Sequence, residues 1–235
     1  MARKPHKTAM IFAIVVLSLG AFELVWQGGG RGAEQITTAP AQTKKDKTAW
    51  KTLFDGNSMA GWKEAKFGGE GDVSIDGGAI VMEQGNDMTG ITYARDDFPK
   101  TNYEVSLEGK RLRGNDFFCT TTFPVGTAHC SLVIGGWGGT VVGLSSIDAK
   151  DASENETATN GNFKKDQWYR VKIRVSKDRI AAWIDDKQVV DLETKDRAIS
   201  IRPECDLCKP FGIATWRTVG AVRDIRVRAL SKDEK

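Results

Sequence analysis

The stretch Gly114-Asn-Asp-Phe-Phe-Cys-Thr-Thr-Thr-Phe-Pro-Val-Gly-Thr-Ala-His-Cys-Ser-Leu-Val-Ile-Gly-Gly-Trp-Gly-Gly139 decides how the chain reads. Apolar residues alternate on both sides of Pro124-Val125-Gly126-Thr127, a turn signal, so the pattern predicts a β-hairpin. Folding about the midpoint between Pro124 and Val125 sets Cys119 opposite Cys130, Phe117 opposite Leu132, and Thr120 opposite His129. Side chains alternate faces along a strand. One face then carries Phe117, Cys119, Thr121, Cys130, Leu132 and Ile134, suited to a core. The other carries Asp116, Phe118, Thr120, Thr122, His129, Ser131 and Val133, with one of the chain's two histidines. That polar face is the first candidate for a working surface.

The same alternation spreads outward from the hairpin. Tyr103-Glu-Val-Ser-Leu-Glu108 alternates strictly, with Tyr103, Val105 and Leu107 inward. Asp72–Ile75 and Ala79–Glu83 flank an Asp76-Gly77-Gly78 turn. Trp168–Val175 and Arg179–Asp185 flank Lys177-Asp178, which sets Lys172 opposite Trp183 for a cation–π contact. Further short strands are predicted at Gly90–Tyr93, Thr140–Leu144, Gln188–Asp191, Phe211–Trp216 and Val222–Arg228. No helical stripe of useful length interrupts them. Many short strands at this spacing predict an all-β, two-sheet sandwich or jelly roll.

The 235 residues, 40% hydrophobic and 28% charged, suffice for one sizeable domain with an appendage. Net charge is +3, and Arg3, Lys4 and Lys7 lie in the N-terminal leader, so the rest is nearly neutral. Neither nucleic acid nor an anionic surface is implied as a partner. Residues 1–26 read as a signal peptide or signal anchor: a basic start, then about fourteen mostly apolar residues from Ala9 to Phe22. No small-x-small cleavage site follows, so an uncleaved anchor, the one route to a membrane, remains the alternative. Residues 27–47 are Gly-, Thr-, Ala- and Lys-rich and read as a flexible linker. The folded domain is expected over 48–231, followed by a short tail at 232–235. The expected location is exported: periplasm, cell envelope or outside the cell.

Export makes the four cysteines disulfide candidates. The hairpin register predicts Cys119–Cys130, and Cys205-Asp-Leu-Cys208 predicts a second short-range bridge. A thioredoxin-like site would need a βαβ setting, and haem attachment a histidine where Lys209 stands. A four-cysteine zinc site is the remaining alternative. No cofactor is implied. The loop from Asp148 to Glu156 lacks the EF-hand spacing, though a structural calcium stays open there. Ser145-Ser146 lacks the nucleophile-elbow sequence of serine hydrolases.

From Trp50 to Leu230 the chain resembles the 3-keto-disaccharide hydrolase domain family. The likeness is carried by Leu53-Phe-Asp-Gly56 with Gly61-Trp62, Ile75-Asp-Gly-Gly78, and Tyr103–Glu108 leading to Gly114-Asn115. It continues through Asp166-Gln-Trp168, Ala182-Trp-Ile-Asp-Asp186, and Phe211-Gly-Ile213 to Arg223–Val227. The resemblance implies a concanavalin A-like jelly-roll sandwich and hydrolysis of a 3-keto-glycoside or related modified sugar. Glu108, Lys110 and Asn115 match positions of the family's pattern.

Glycosidic chemistry needs an acid and a base or nucleophile facing one another across the bond. Glu108 with Asp116 is the best carboxylate pair on neighbouring strands, and His129 tuned by Asp116 is the competing general base. Lys110, Asn115, Thr120, Ser131 and Trp137 are the expected substrate contacts, Trp137 as an aromatic platform among glycines. Bland roles stand beside each: a turn for Asp116, an ion pair for Glu108, a bond to Thr120 for His129, simple packing for Trp137. The alternative function is a non-catalytic carbohydrate-binding or envelope-associated module on the same fold.

Overall fold

The computed structural model describes residues 48–234. The predicted leader, anchor and linker lie outside these residues. Among the described residues the chain forms fifteen strands: β1 (Lys51–Thr52), β2 (Trp62–Glu64), β3 (Val73–Asp76), β4 (Ala79–Met82), β5 (Met88–Tyr93), β6 (Tyr103–Arg113), β7 (Thr120–Val125), β8 (Ala128–Gly136), β9 (Val141–Ser145), β10 (Thr159–Asn160), β11 (Trp168–Val175), β12 (Arg179–Ile184), β13 (Lys187–Glu193), β14 (Gly212–Trp216) and β15 (Val219–Ala229). Two short 3-10 helices, Pro203–Cys208 and Lys232–Glu234, complete the list of elements. None is a helix long and apolar enough to cross a membrane.

The strands form two antiparallel sheets of a jelly-roll sandwich. The first runs β13-β12-β11-β6-β15-β4-β3 with β1 beside β15; the second runs β10-β9-β8-β7-β14-β5-β2. Tyr103, Val105 and Leu107 point inward from β6 and are fully buried, as their alternation predicts. They meet Phe118, Phe123, Leu132 and Ile134 from the opposite sheet in one continuous core. Polar tips inside that core find partners: Tyr103 Oη donates to the Pro124 carbonyl at 2.6 Å, and Trp62 Nε1 to the Leu53 carbonyl at 2.9 Å. Lys172 faces Trp183 across β11 and β12, its ammonium 4.3 Å from the ring centre.

The hairpin is present, but its register differs from expectation. The reversal falls at Gly126-Thr127, so Val125 pairs with Ala128, Phe123 with Cys130 and Thr121 with Leu132. Glycine at position 126 (φ +63°) permits the tight turn there, one the midpoint at Pro124-Val125 could not provide. Each partner moves by four residues, an even number, so the core and outer faces of β7 and β8 keep their expected residues. Before β7 the backbone bends, and this reverses two assignments: Phe118 enters the core while Phe117 turns outward.

The expected disulfides are corrected by the same geometry. All four cysteines are buried free thiols. Cys130 sits across from Phe123, while Cys119 lies before β7 and packs over Gly109 of the other sheet. A Cβ at residue 109 would stand 2.5 Å from Cys119 Sγ, so the close approach of the sheets depends on that glycine. Cys205 and Cys208 are also unpaired. Spaced three apart in a 3-10 helix, they share one side and pack with Met88 and Ala214 on the outer face of the second sheet.

Candidate functional site

Outward side chains of the second sheet, the bend before β7, the β8–β9 loop and the Pro203–Cys208 helix enclose a cleft of about 240 Å³. Register builds its floor. Ser131 on β8 lies between Thr122 on β7 and Ser145 on β9, and Thr122 Oγ1 and Ser131 Oγ are 2.8 Å apart. Thr120 and Val133 form the next row. Thr120 and Ser145 are 2% and 1% exposed, yet their hydroxyls have no protein partner. Two buried hydroxyls without a protein partner beneath one cleft are exceptions to the rule that buried polar groups are hydrogen-bonded, and they single out this floor.

The rim is aromatic and charged. Phe117 and Trp216 meet at 6.1 Å and form one wall, with Met88 beside them. Trp137, 45% exposed, stands on the β8–β9 loop. A bulge at Gly135 interrupts the β8–β9 ladder and redirects the chain into that loop. Trp137 itself has φ +48°, a left-handed conformation uncommon for an aromatic residue, with Gly135 and Gly138 near it also at positive φ. Asp116 closes the loop from one side: its Oδ2 accepts the Gly138 N–H at 3.2 Å and its Oδ1 the Phe117 N–H at 2.8 Å. Arg111 of β6 supports it from beneath, donating to the carbonyls of Gly135 and Gly139 at 3.4 and 3.1 Å. Burial draws the Arg111 guanidinium below its ordinary range, and the nearby Asp116 carboxylate offsets part of that. On the facing rim Arg202 holds Glu204 at 2.8 Å and Asp151 at 3.1 Å. Arg202 and a backbone N–H keep the Glu204 carboxyl below its usual range.

Of the residues expected from sequence, Asp116, Thr120, Ser131 and Trp137 gather at this cleft. Asn115 is an exposed neighbour in the bend and does not line it. Glu108 and Lys110 point from the outer face of the first sheet. Glu108 accepts Arg223 Nε at 2.7 Å, and the Lys110 ammonium lies 4.6 Å from the centre of the Trp168 ring. His129 shares the outer face of β8 but sits near the hairpin turn, roughly 20 Å along the strand from the Trp137 loop. Burial and the charge of Lys209 lower its pKa. Neither Glu108, expected as the carboxylate partner of Asp116, nor His129, expected as the competing base, therefore joins Asp116 at the cleft.

Met88, Phe117, Ser145, Arg202, Glu204, Cys205 and Trp216 are the lining residues that sequence reasoning missed, Phe117 having been expected in the core. The outward parity of Trp216 was a usable signal. For Glu204 there was none, because the Cys205-Asp-Leu-Cys208 segment meets the hairpin only in the folded chain. The acidic loop is committed to ion pairs: Arg197 binds Asp148 and Glu156, and Arg202 binds Asp151. Among the described residues no cluster of three or more His, Cys, Asp and Glu side chains is arranged to hold a metal.

A larger hollow of about 780 Å³ lies over Trp183 on the first sheet. Arg174 pairs there with Glu234 and Arg179 with Asp191, while Lys172 and Arg174 lie over the Trp183 ring. The smaller cleft, with unpartnered hydroxyls in its floor and an exposed aromatic ring at its rim, is the better candidate.

Residues 49–228 match the 3-keto-alpha-glucoside-1,2-lyase-like domain family, the same family the sequence resembles. No curated protein sequence matches the chain. Among solved structures, the Crh5 transglycosylase superposes with a TM-score of 0.53 at 12% identity, over 79% of this chain and 85% of that one. A Bacillus subtilis protein of unknown function with a galectin-like fold gives 0.53 at 12% identity, over 77% and 94%. At such identities these likenesses speak for the fold.

Proposed function

Because the chain belongs to the 3-keto-alpha-glucoside-1,2-lyase-like domain family, we propose that its cleft takes a sugar ring and acts on the glycosidic bond of a 3-keto-glycoside. The unpartnered hydroxyls of Thr120 and Ser145, buried in the floor beneath the Trp137 and Phe117–Trp216 rings, carry this reading. Aromatic rings accept the apolar C–H face of a sugar, while fixed polar groups at the floor orient its hydroxyls. A ketone at C3 acidifies the C2 proton. Removing that proton and expelling the aglycone oxygen from C1 leaves a 1,2-unsaturated keto sugar, and water added across that double bond completes hydrolysis. Asp116 and Glu204 are the carboxylates at the rim able to take the proton. Thr120, Ser145 and Arg202 are the donors available to the C3 oxygen as it gains negative charge.

One observation favours binding without turnover. Both oxygens of Asp116 already accept backbone N–H groups, and Glu204 is held by Arg202, which suits fixed acceptors as well as a base. Aglycone release should be measured on 3-keto-glycosides and on the parent glycosides. The enzymatic reading expects release from the keto forms only, reduced at least a hundredfold in Asp116→Ala or Glu204→Gln. Saturable binding with no release on any member of the panel would establish the binding module instead. Export, supported by residues 1–26, belongs to the proposal and is tested by fractionating cells that express the full chain.

A further inference from the structure

Building on the reading of this cleft as a sugar site, we infer that Arg111 and Asp116 form a clamp of opposite charges that positions the Trp137 platform, with Arg111 as a positioning residue that never touches the ligand. Arg111 occupies an inward position of β6, in phase with Leu107 and Val105, where an apolar side chain would be expected. It is 6% exposed and has no carboxylate at ion-pair distance, while its Nε lacks any partner. A buried guanidinium in that state is costly. Its remaining bonds all go to main-chain carbonyls: Gly135 and Gly139, which bound the loop, and Phe163 at 3.5 Å. Its charged plane also lies 5.1 Å from the centre of the Phe118 ring.

The loop therefore meets a cation at its carbonyls and an anion at its amide, the Gly138 N–H on Asp116. This is the complement of partial charges a backbone needs when its own ladder is interrupted. The fit is close. A Cβ at residue 135 would stand 2.5 Å from Arg111 Nη2, and one at 139 would stand 2.8 Å from the Asn115 carbonyl. Glycines at 135 and 139 thus admit the clamp, and the clamp in turn holds Trp137 in its left-handed conformation at the mouth of the cleft.

The test is fluorine NMR on full-length protein labelled with 5-fluorotryptophan, the Trp137 line being assigned by Trp137→Phe. In Arg111→Met the Trp137 line should narrow and move toward the position of the free amino acid. Lines of Trp62 in the core and Trp183 on the other sheet should stay in place. Affinity for a methyl 3-keto-α-glucoside should fall about tenfold, the scale of losing charge-assisted hydrogen bonds. Asp116→Asn should shift the Trp137 line in the same direction. If Arg111→Met fails to fold, Arg111→Lys decides the question: one ammonium cannot span the separate carbonyls, so its Trp137 line should move too. A folded Met or Lys variant whose Trp137 line stays at the wild-type position overturns the clamp, as does an equal displacement of the Trp62 line. The fluorine signal needs no sugar. Failure of every glycoside to bind would therefore remove the sugar reading while leaving the clamp to stand or fall on its own.

Discussion

Thr120 and Ser145 lie under the cleft with hydroxyls that bond to nothing in the protein, so their removal separates function from stability. Thr120→Val keeps the shape and Ser145→Ala removes one atom; each removes a buried hydroxyl with no partner, so unfolding free energy should stay the same or rise, by up to about 1 kcal/mol. Ligand affinity should fall by about 1 kcal/mol for each, measured by calorimetry beside urea unfolding. A loss of stability as large as the loss of affinity would mean the hydroxyls serve the fold. His129 is the opposite case, a residue whose type suggested catalysis and whose surroundings do not. Its charged neighbours are Lys209, Asp206 and Lys100, and Asp116 is not among them. Its NMR titration should have a midpoint below 6.5, and Asp116→Ala should leave that midpoint unmoved. The lowered value means the unfolded chain binds more protons just below pH 6.5, so this group costs stability as pH falls through that range. Asp116, Thr120, Ser131 and Trp137 could be picked from the sequence because outer-face parity and a glycine-rich bulge are local signals. Glu204 and Ser145 could not, since nothing local ties them to the hairpin.

The β7–β8 hairpin shows which properties of an element survive an error in its register. Moving the reversal to Gly126-Thr127 changed every cross-strand partner yet left Thr120, Thr122, Ser131 and Val133 on the outer face. Side-chain direction depends only on parity along the strand, whereas pairing depends on which residues make the turn. A disulfide is a pairing property, and so the expectation of Cys119–Cys130 failed where the expectation of a polar face held. Burial pushes the Cys130 thiol up to about 12 and raises the other three as well, which keeps them protonated and unreactive. Native protein prepared without reductant should therefore show no rapidly reacting thiol among the four. The full complement should appear on unfolding in guanidinium. Fewer than four after unfolding would mean that a covalent bridge forms in the protein as it is made.

At the scale of the whole molecule, the outer face of the first sheet ties the end of the chain to its middle. Glu104 of β6, with a side chain 4% exposed, binds Arg174 of β11 and Arg228 of β15, and Glu234 binds Arg228 again. Arg228 and the N–H and hydroxyl of Ser231 hold the Glu234 carboxyl down at about 2. A depressed carboxylate stabilises the fold above its unfolded value near 4.5 and loses that effect as pH falls toward 2. Wild type should therefore melt above Glu234→Gln at neutral pH, and the two curves of melting temperature should converge as pH falls from about 4.5 to about 2. Parallel curves throughout would show that the tail contributes nothing through this charge. The sequence by itself determined the two-sheet architecture, the inward faces of β6 and β11, and the outward set of hydroxyls on β7 and β8, because alternation and turn residues act within a few positions of one another. Only the tertiary structure decided that Arg111 reaches across the sandwich to hold the loop of Trp137, that Arg202 and Glu204 complete the cleft, and that Glu108 and Lys110 face away from it. Which sheet faces which, and which loop covers which face, depends on contacts between residues far apart in the chain, and one-dimensional periodicity carries no information about them.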